Sequence, residues 1–146
     1  PFIEDTMLRR LNRRPVIVDR IANILEPWNF EDESLDEIVM VSCFEHFWPR
    51  DARRILEEVK RTLKKGGRLI IDFPDLKKQY EQYYESNPEF YMELVYCNHK
   101  NEFSIHHWGY TETTFAKLFD KDKYKVEYKT IVKHDYPMIG AVVTKL

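Results

Sequence analysis

A chain of 146 residues with 43% hydrophobic and 33% charged side chains and a formal net charge of −2 has the composition of one globular domain, not of a disordered tail or a membrane-embedded bundle. Acids and bases are interspersed, which gives no broad basic surface for nucleic acid or an anionic membrane and favours a small-molecule or protein ligand. Cys43 and Cys97 form no paired framework, and no signal-like apolar run occurs, so a cytoplasmic setting with free thiols is expected.

In chain order, Ile3, Met7, Leu8 and Leu11 share one face and predict a helix over 3–13, which Pro15 ends. Val16 to Val18 make a short strand leading to Asp19, and a second extended piece is expected over Ile21 to Leu25. Pro27 and Trp28 open an irregular loop that runs through Glu31, Asp32 and Glu33.

The stretch from Asp36 to Asp75 organises the rest. Ile38–Val41 and Leu69–Phe73 are apolar runs suited to buried parallel strands. Between them Ala52, Ile55, Leu56, Val59 and Leu63 recur at helical spacing behind Pro49 and Asp51, while Lys64, Lys65 and Gly66 predict the helix stop. Two parallel strands with a crossover helix form a βαβ unit, whose ligands sit beyond the carboxyl ends of the strands. Those ends are Ser42 to His46 and Pro74 to Asp75.

After Asp75 the chain turns aromatic and helical. Tyr80, Tyr83 and Tyr84 lie within a helix over 76–85, and Pro88 restarts a second whose apolar face holds Phe90, Tyr91, Leu94 and Val95. Residues 76–110 are read as a helical insertion over the active site, and the whole chain as a single, partial domain. Cys97, His99, His106 and His107 match no familiar closed zinc spacing, so no metal is expected. Thr111 caps a further helix bearing Phe115, Leu118 and Phe119. Tyr124, Val126 and Tyr128 alternate with charged residues, and Met138 to Thr144 are more apolar, which predicts a terminal antiparallel strand pair.

The run FEDESLDEIVMVSCFEHFWPRDARRILEEVKRTLKKGGRLIIDFPDL resembles a segment of class I S-adenosylmethionine-dependent methyltransferases, with Lys65 where the family usually has proline and Phe44 where it usually has leucine. HHWGYTETTFAKLF from His106 is similar to a later passage of the same family. The resemblance implies a Rossmann-like α/β fold, with a mostly parallel sheet ending in an antiparallel pair and lacking its first strands here. It implies S-adenosylmethionine as cofactor. NILEPWNF resembles the family's third-strand end, which makes Asn23 and Ile24 the adenine-binding pair, with Asp19 as a competing adenine or ribose partner. Ser42, Cys43, Phe44 and Glu45 are expected to pass the cofactor. His46 is the candidate base, and His107 and Tyr110 are candidate acceptor contacts.

The family's glycine-rich first motif is absent, because the four glycines are Gly66, Gly67, Gly109 and Gly140. Three explanations stand: an amino part outside this sequence, a reduced relative, or a partner chain or second copy that completes the sheet. Methyl transfer to a small molecule is the leading reading. A noncatalytic methyltransferase-like binding module is the alternative.

Overall fold

The computed structural model describes residues 19–146; the helix expected over 3–13 and the strand at Val16 to Val18 lie outside the described residues. The βαβ unit forms as β1 (Leu35–Met40), α1 (Pro49–Thr62) and β2 (Leu63–Pro74), with β1 and β2 parallel and Ile38 opposite Leu69. Two helices follow, α2 (Leu76–Tyr83) and α3 (Pro88–Tyr96), then a short α4 (Glu112–Ala116). The chain closes with β3 (Tyr124–Tyr128) and β4 (Met138–Lys145). The sheet order is β1-β2-β4-β3, with β4 antiparallel to both neighbours. The terminal antiparallel pair is therefore present, and its inner strand also closes against β2.

Burial follows the helical spacing of α1. Ala52, Ile55, Leu56 and Val59 join Leu69, Ile71, Phe73, Ala141 and Val143 in one core, and each fully buried large apolar side chain contributes about 1.5–3 kcal/mol. Phe44, Tyr110 and Phe115 extend that core towards the carboxyl edge of the strands through tilted and edge-on ring pairs, while Phe119 carries it from Phe115 to Tyr124. Thr111 caps α4, as its sequence suggests, by accepting from the Thr114 N–H at 3.1 Å.

Three local expectations are corrected. Ile38–Val41 is expected to be buried, yet Val39 and Val41 are exposed, because β1 stands at the edge of the four described strands. Helix α1 ends at Thr62, not at the glycine: Leu63 is already extended and buried. A helix end leaves carbonyls unpaired, and here tertiary donors take them. Glu33 N–H donates to Arg61 O, Ser34 N–H to Thr62 O, and the Lys145 ammonium to Lys60 O and Leu63 O. Gly66, at φ +77°, lies inside β2, where the pairing with β1 shifts register between Leu35–Leu63 and Glu37–Arg68. The third correction concerns Ile21 to Leu25, which forms no strand but turns at Ile24 and Leu25, because the Asn23 side chain accepts the Leu25 N–H at 3.0 Å.

Helices α2 and α3 begin on side-chain caps, Asp75 accepting from Lys78 N–H and Asn87 from Phe90 N–H. They meet through Tyr80 on Tyr91 and Tyr83 on Phe90. Among the described residues, no helix is long and apolar enough to cross a membrane.

Candidate active site

The carboxyl end of β1 is a strained turn held from the neighbouring strand. Ser42 takes φ +47°, a left-handed conformation costing a non-glycine residue about 1–2 kcal/mol. Its N–H donates to Asp72 Oδ1 at 2.7 Å, and the other carboxylate oxygen of this buried β2 residue meets His134 Nε2 at 2.9 Å. After Ser42 the chain enters a 3-10 turn over Phe44–His46.

That turn sends its side chains in different directions. Phe44 is wholly enclosed in the aromatic core, so only its main chain is free to face a ligand. Glu45 is buried as well, and its Oε2 has no hydrogen-bond partner among the described residues. Burial, reinforced by the Asp72 carboxylate, pushes the Glu45 carboxyl up to about 7. Burial also raises the Cys43 thiol to about 11, with Glu45 adding to the effect, so Cys43 is no thiolate nucleophile. His46 is half-buried and donates through Nδ1 to Ile105 O at 3.0 Å. Burial lowers its pKa, and nearby His107 lowers it further; the imidazole is therefore neutral near pH 7 and available as a proton acceptor.

A second segment closes against this turn. The N–H groups of His107 and Trp108 both donate to Glu45 O, at 2.9 and 3.2 Å, and the His107 ring stacks on Trp48 with centroids 4.5 Å apart. His106 donates through Nδ1 to Leu94 O at 3.0 Å and sets its ring edge-on to His46, 4.8 Å between centroids.

Two cavities flank the turn. One, of about 610 Å³, is lined by Leu25, Ser42, Cys43, His46, Trp48 and His107 among others. The other, of about 240 Å³, is lined by Ser42, Glu45, His46, Leu94, His106 and Tyr136 among others. Ser42 and His46 stand between the two.

The structure thus brings together Ser42, Cys43, Glu45, His46 and His107. It sets Asn23 and Ile24 on a separate cavity of about 490 Å³, with Arg20, Trp28 and Phe30, where the Asn23 amide also reaches Glu26. Asp19 is exposed. Tyr110 packs on Phe44 and Phe73, and burial raises its phenol to about 12. Asp72, His106, His134 and Tyr136 were not singled out by the sequence as parts of this edge; the buried-strand position of Asp72, a carboxylate within an apolar run, is the one signal that could have found any of them.

The residues present fit one end of a nucleoside-sulfonium cofactor. The larger cavity has apolar and aromatic walls suited to an adenine, whereas none of the chain's four glycines lines it, so no glycine cradle for an amino-acid end comes from these residues.

Residues 3–71 match a family model described as a methyltransferase domain. The chain is 28% identical over 108 residues to the uncharacterised protein MJ1123 of Methanocaldococcus jannaschii, a match covering 67% of this chain and 51% of the relative. It thus spans about half the length of that curated relative. Among solved structures, an S-adenosylmethionine-dependent methyltransferase of Thermotoga maritima aligns with TM-score 0.58 and 22% identity, over 97% of this chain and 70% of that one. Protein PH0226 of Pyrococcus horikoshii aligns with TM-score 0.55 and 17% identity, over 97% and 66%. A complex of the Haloferax volcanii Trm112 methyltransferase activator with a methyltransferase gives 0.56 and 14%, over 89% and 64%.

Proposed function

We propose that this chain, whose residues 3–71 match a methyltransferase-domain family model and whose fold aligns with an S-adenosylmethionine-dependent methyltransferase, is a class I methyltransferase relative that takes part in methyl transfer from S-adenosylmethionine to a small-molecule acceptor. One observation carries the reading: the Ser42 turn, fastened by Asp72, separates two cavities at the carboxyl end of a parallel strand. Ligands of open α/β sheets bind at such ends. Ser42, Cys43 and Leu25 would hold the cofactor in the larger cavity, and Trp48 offers it an aromatic face. When bound, the cofactor supplies an electrophilic methyl group on a sulfonium.

The chain's own residues do three things. Asp72 holds the Ser42 turn rigid, so that the wall between the cavities is preorganised. Neutral His46, between the cavities, takes a proton where the acceptor must lose one. Residues 76–110 cover the smaller cavity through Leu94 and His106, which supports reading them as the acceptor-shaping insertion.

The missing glycine cradle favours one second reading, a noncatalytic module that keeps the fold and binds a partner. Calorimetric titration of the natural protein with S-adenosylmethionine separates the two. One-to-one binding, weakened about tenfold or more by Cys43→Phe, which would fill the larger cavity, is expected. A folded protein that shows no binding sinks the enzyme reading and leaves the module.

A further inference from the structure

We infer that Glu45, His46 and His106 form a binding site for a divalent first-row transition metal ion, facing the cavity of about 240 Å³ beneath α3. One ligand-capable atom from each residue lies within 4.8 Å of those of the other two. Ligands of one ion at about 2.1 Å stand about 3.0–3.4 Å apart, so small side-chain rotations close the set.

Three independent features point the same way. The Nδ1 atoms of both histidines meet backbone carbonyls, Ile105 O and Leu94 O, and a carbonyl can only accept. Each Nδ1 therefore carries a proton, and each neutral ring keeps its lone pair on Nε2, the arrangement that outer-shell carbonyls impose on metal-binding histidines. Glu45 is 2% exposed, yet its Oε2 is unpartnered among the described residues. A buried carboxylate oxygen without a partner is costly, and a cation resolves the cost. Finally, the backbone holds the residues in place before any ion arrives: His107 and Trp108 N–H fasten to Glu45 O, while the His46 ring fastens to Ile105, the residue before His106.

Two imidazoles and one carboxylate suit manganese, iron, cobalt or zinc better than magnesium or calcium, which prefer all-oxygen sets. Three protein ligands leave positions open towards the cavity for water or an oxygen-bearing ligand. One Nε2 cannot both ligate and take a proton, so metal at His46 would replace its role as base. The site itself does not depend on cofactor binding.

The test is titration of the purified protein with Co(II), read by visible absorption and calorimetry. One equivalent should bind with d–d bands of a nitrogen-oxygen site. His106→Asn places an amide where Nδ1 donates but removes Nε2, and Glu45→Gln keeps the buried shape but removes the charge. Each is expected to weaken Co(II) binding about tenfold or more with an unchanged circular dichroism spectrum, whereas His99→Asn, at an exposed loop position, should bind as before. If His106→Asn fails to fold, Glu45→Gln and the wild-type spectrum decide. Absence of the bands, wild-type affinity in a folded variant at Glu45 or His106, or an equal loss in His99→Asn overturns the inference.

Discussion

Asp72 Oδ1 accepts the backbone N–H of Ser42 at 2.7 Å, joining the carboxyl end of one buried strand to the turn that follows its parallel neighbour. The bond fixes a left-handed serine that nothing in its own sequence neighbourhood would hold. Removing it leaves a partly buried N–H without a partner and the turn without its anchor. Asp72→Ala should therefore cost about 1–3 kcal/mol in urea denaturation. Asp72→Asn should cost less, since its amide oxygen still accepts from Ser42.

Phe115 is the aromatic hub at the same edge, completely buried among Phe44, Phe73, Tyr110 and Phe119. Phe115→Ala is expected to destabilise by about 3–5 kcal/mol. Phe103, at 63% exposure, is the matched comparison, and Phe103→Ala should stay within about 0.5 kcal/mol of the parent.

The acid side of the stability profile is set in part by Glu58. Arg61 hydrogen bonds hold its carboxyl below the usual value of 4.5, and the Trp28 N–H, donating to Oε2 at 2.8 Å, adds to the effect. A depressed folded-state pKa means that the unfolded chain binds the proton more tightly. The contribution is complete above the unfolded value and is lost as pH falls through the lower folded one. Glu58→Gln should flatten this acid-side loss, measured as the urea midpoint between about pH 6 and pH 3; an unchanged slope would contradict the assignment.

The first half of β2 separates two glycine effects. Gly66 has φ +77° and open space where a side-chain methyl group would stand, whereas at Gly67 such a group would press on the Lys64, Leu35 and Asp36 carbonyls. Gly66→Asn should be milder than Gly66→Ala, because asparagine tolerates the left-handed region; the alanine variant should lose about 1 kcal/mol. Gly67→Ala should lose more than Gly66→Ala, because backbone must move, and thermal denaturation of the three variants orders them.

Legibility followed the range of the interaction. Ala52, Ile55, Leu56 and Val59 announce their burial by spacing within one helix, and the apolar run at Leu69 to Phe73 announces a strand enclosed on both faces. The placement of Ser42 to His46 at a strand's carboxyl end was equally readable, since it needs only strand direction. The stop of α1 was not readable, because local chemistry at Gly66 competes with carbonyl partners drawn from Glu33, Ser34 and Lys145. Nor was the turn at Ile24 and Leu25, where apolar content suggested extension and the Asn23 amide imposed a bend.

By itself the sequence determined the βαβ unit, the terminal strand pair and the family likeness, all of which rest on periodicity and on order along the chain. Only the tertiary structure decided that Asp72 serves the Ser42 turn, that Phe44 belongs to the core while the buried Glu45 keeps an Oε2 unpartnered among the described residues, and that His106 stands beside His46. Those pairings join residues far apart along the chain, across the sheet and the 76–110 segment. Their energies come from shared burial and convergent hydrogen bonds, and no local pattern records those before the chain is folded.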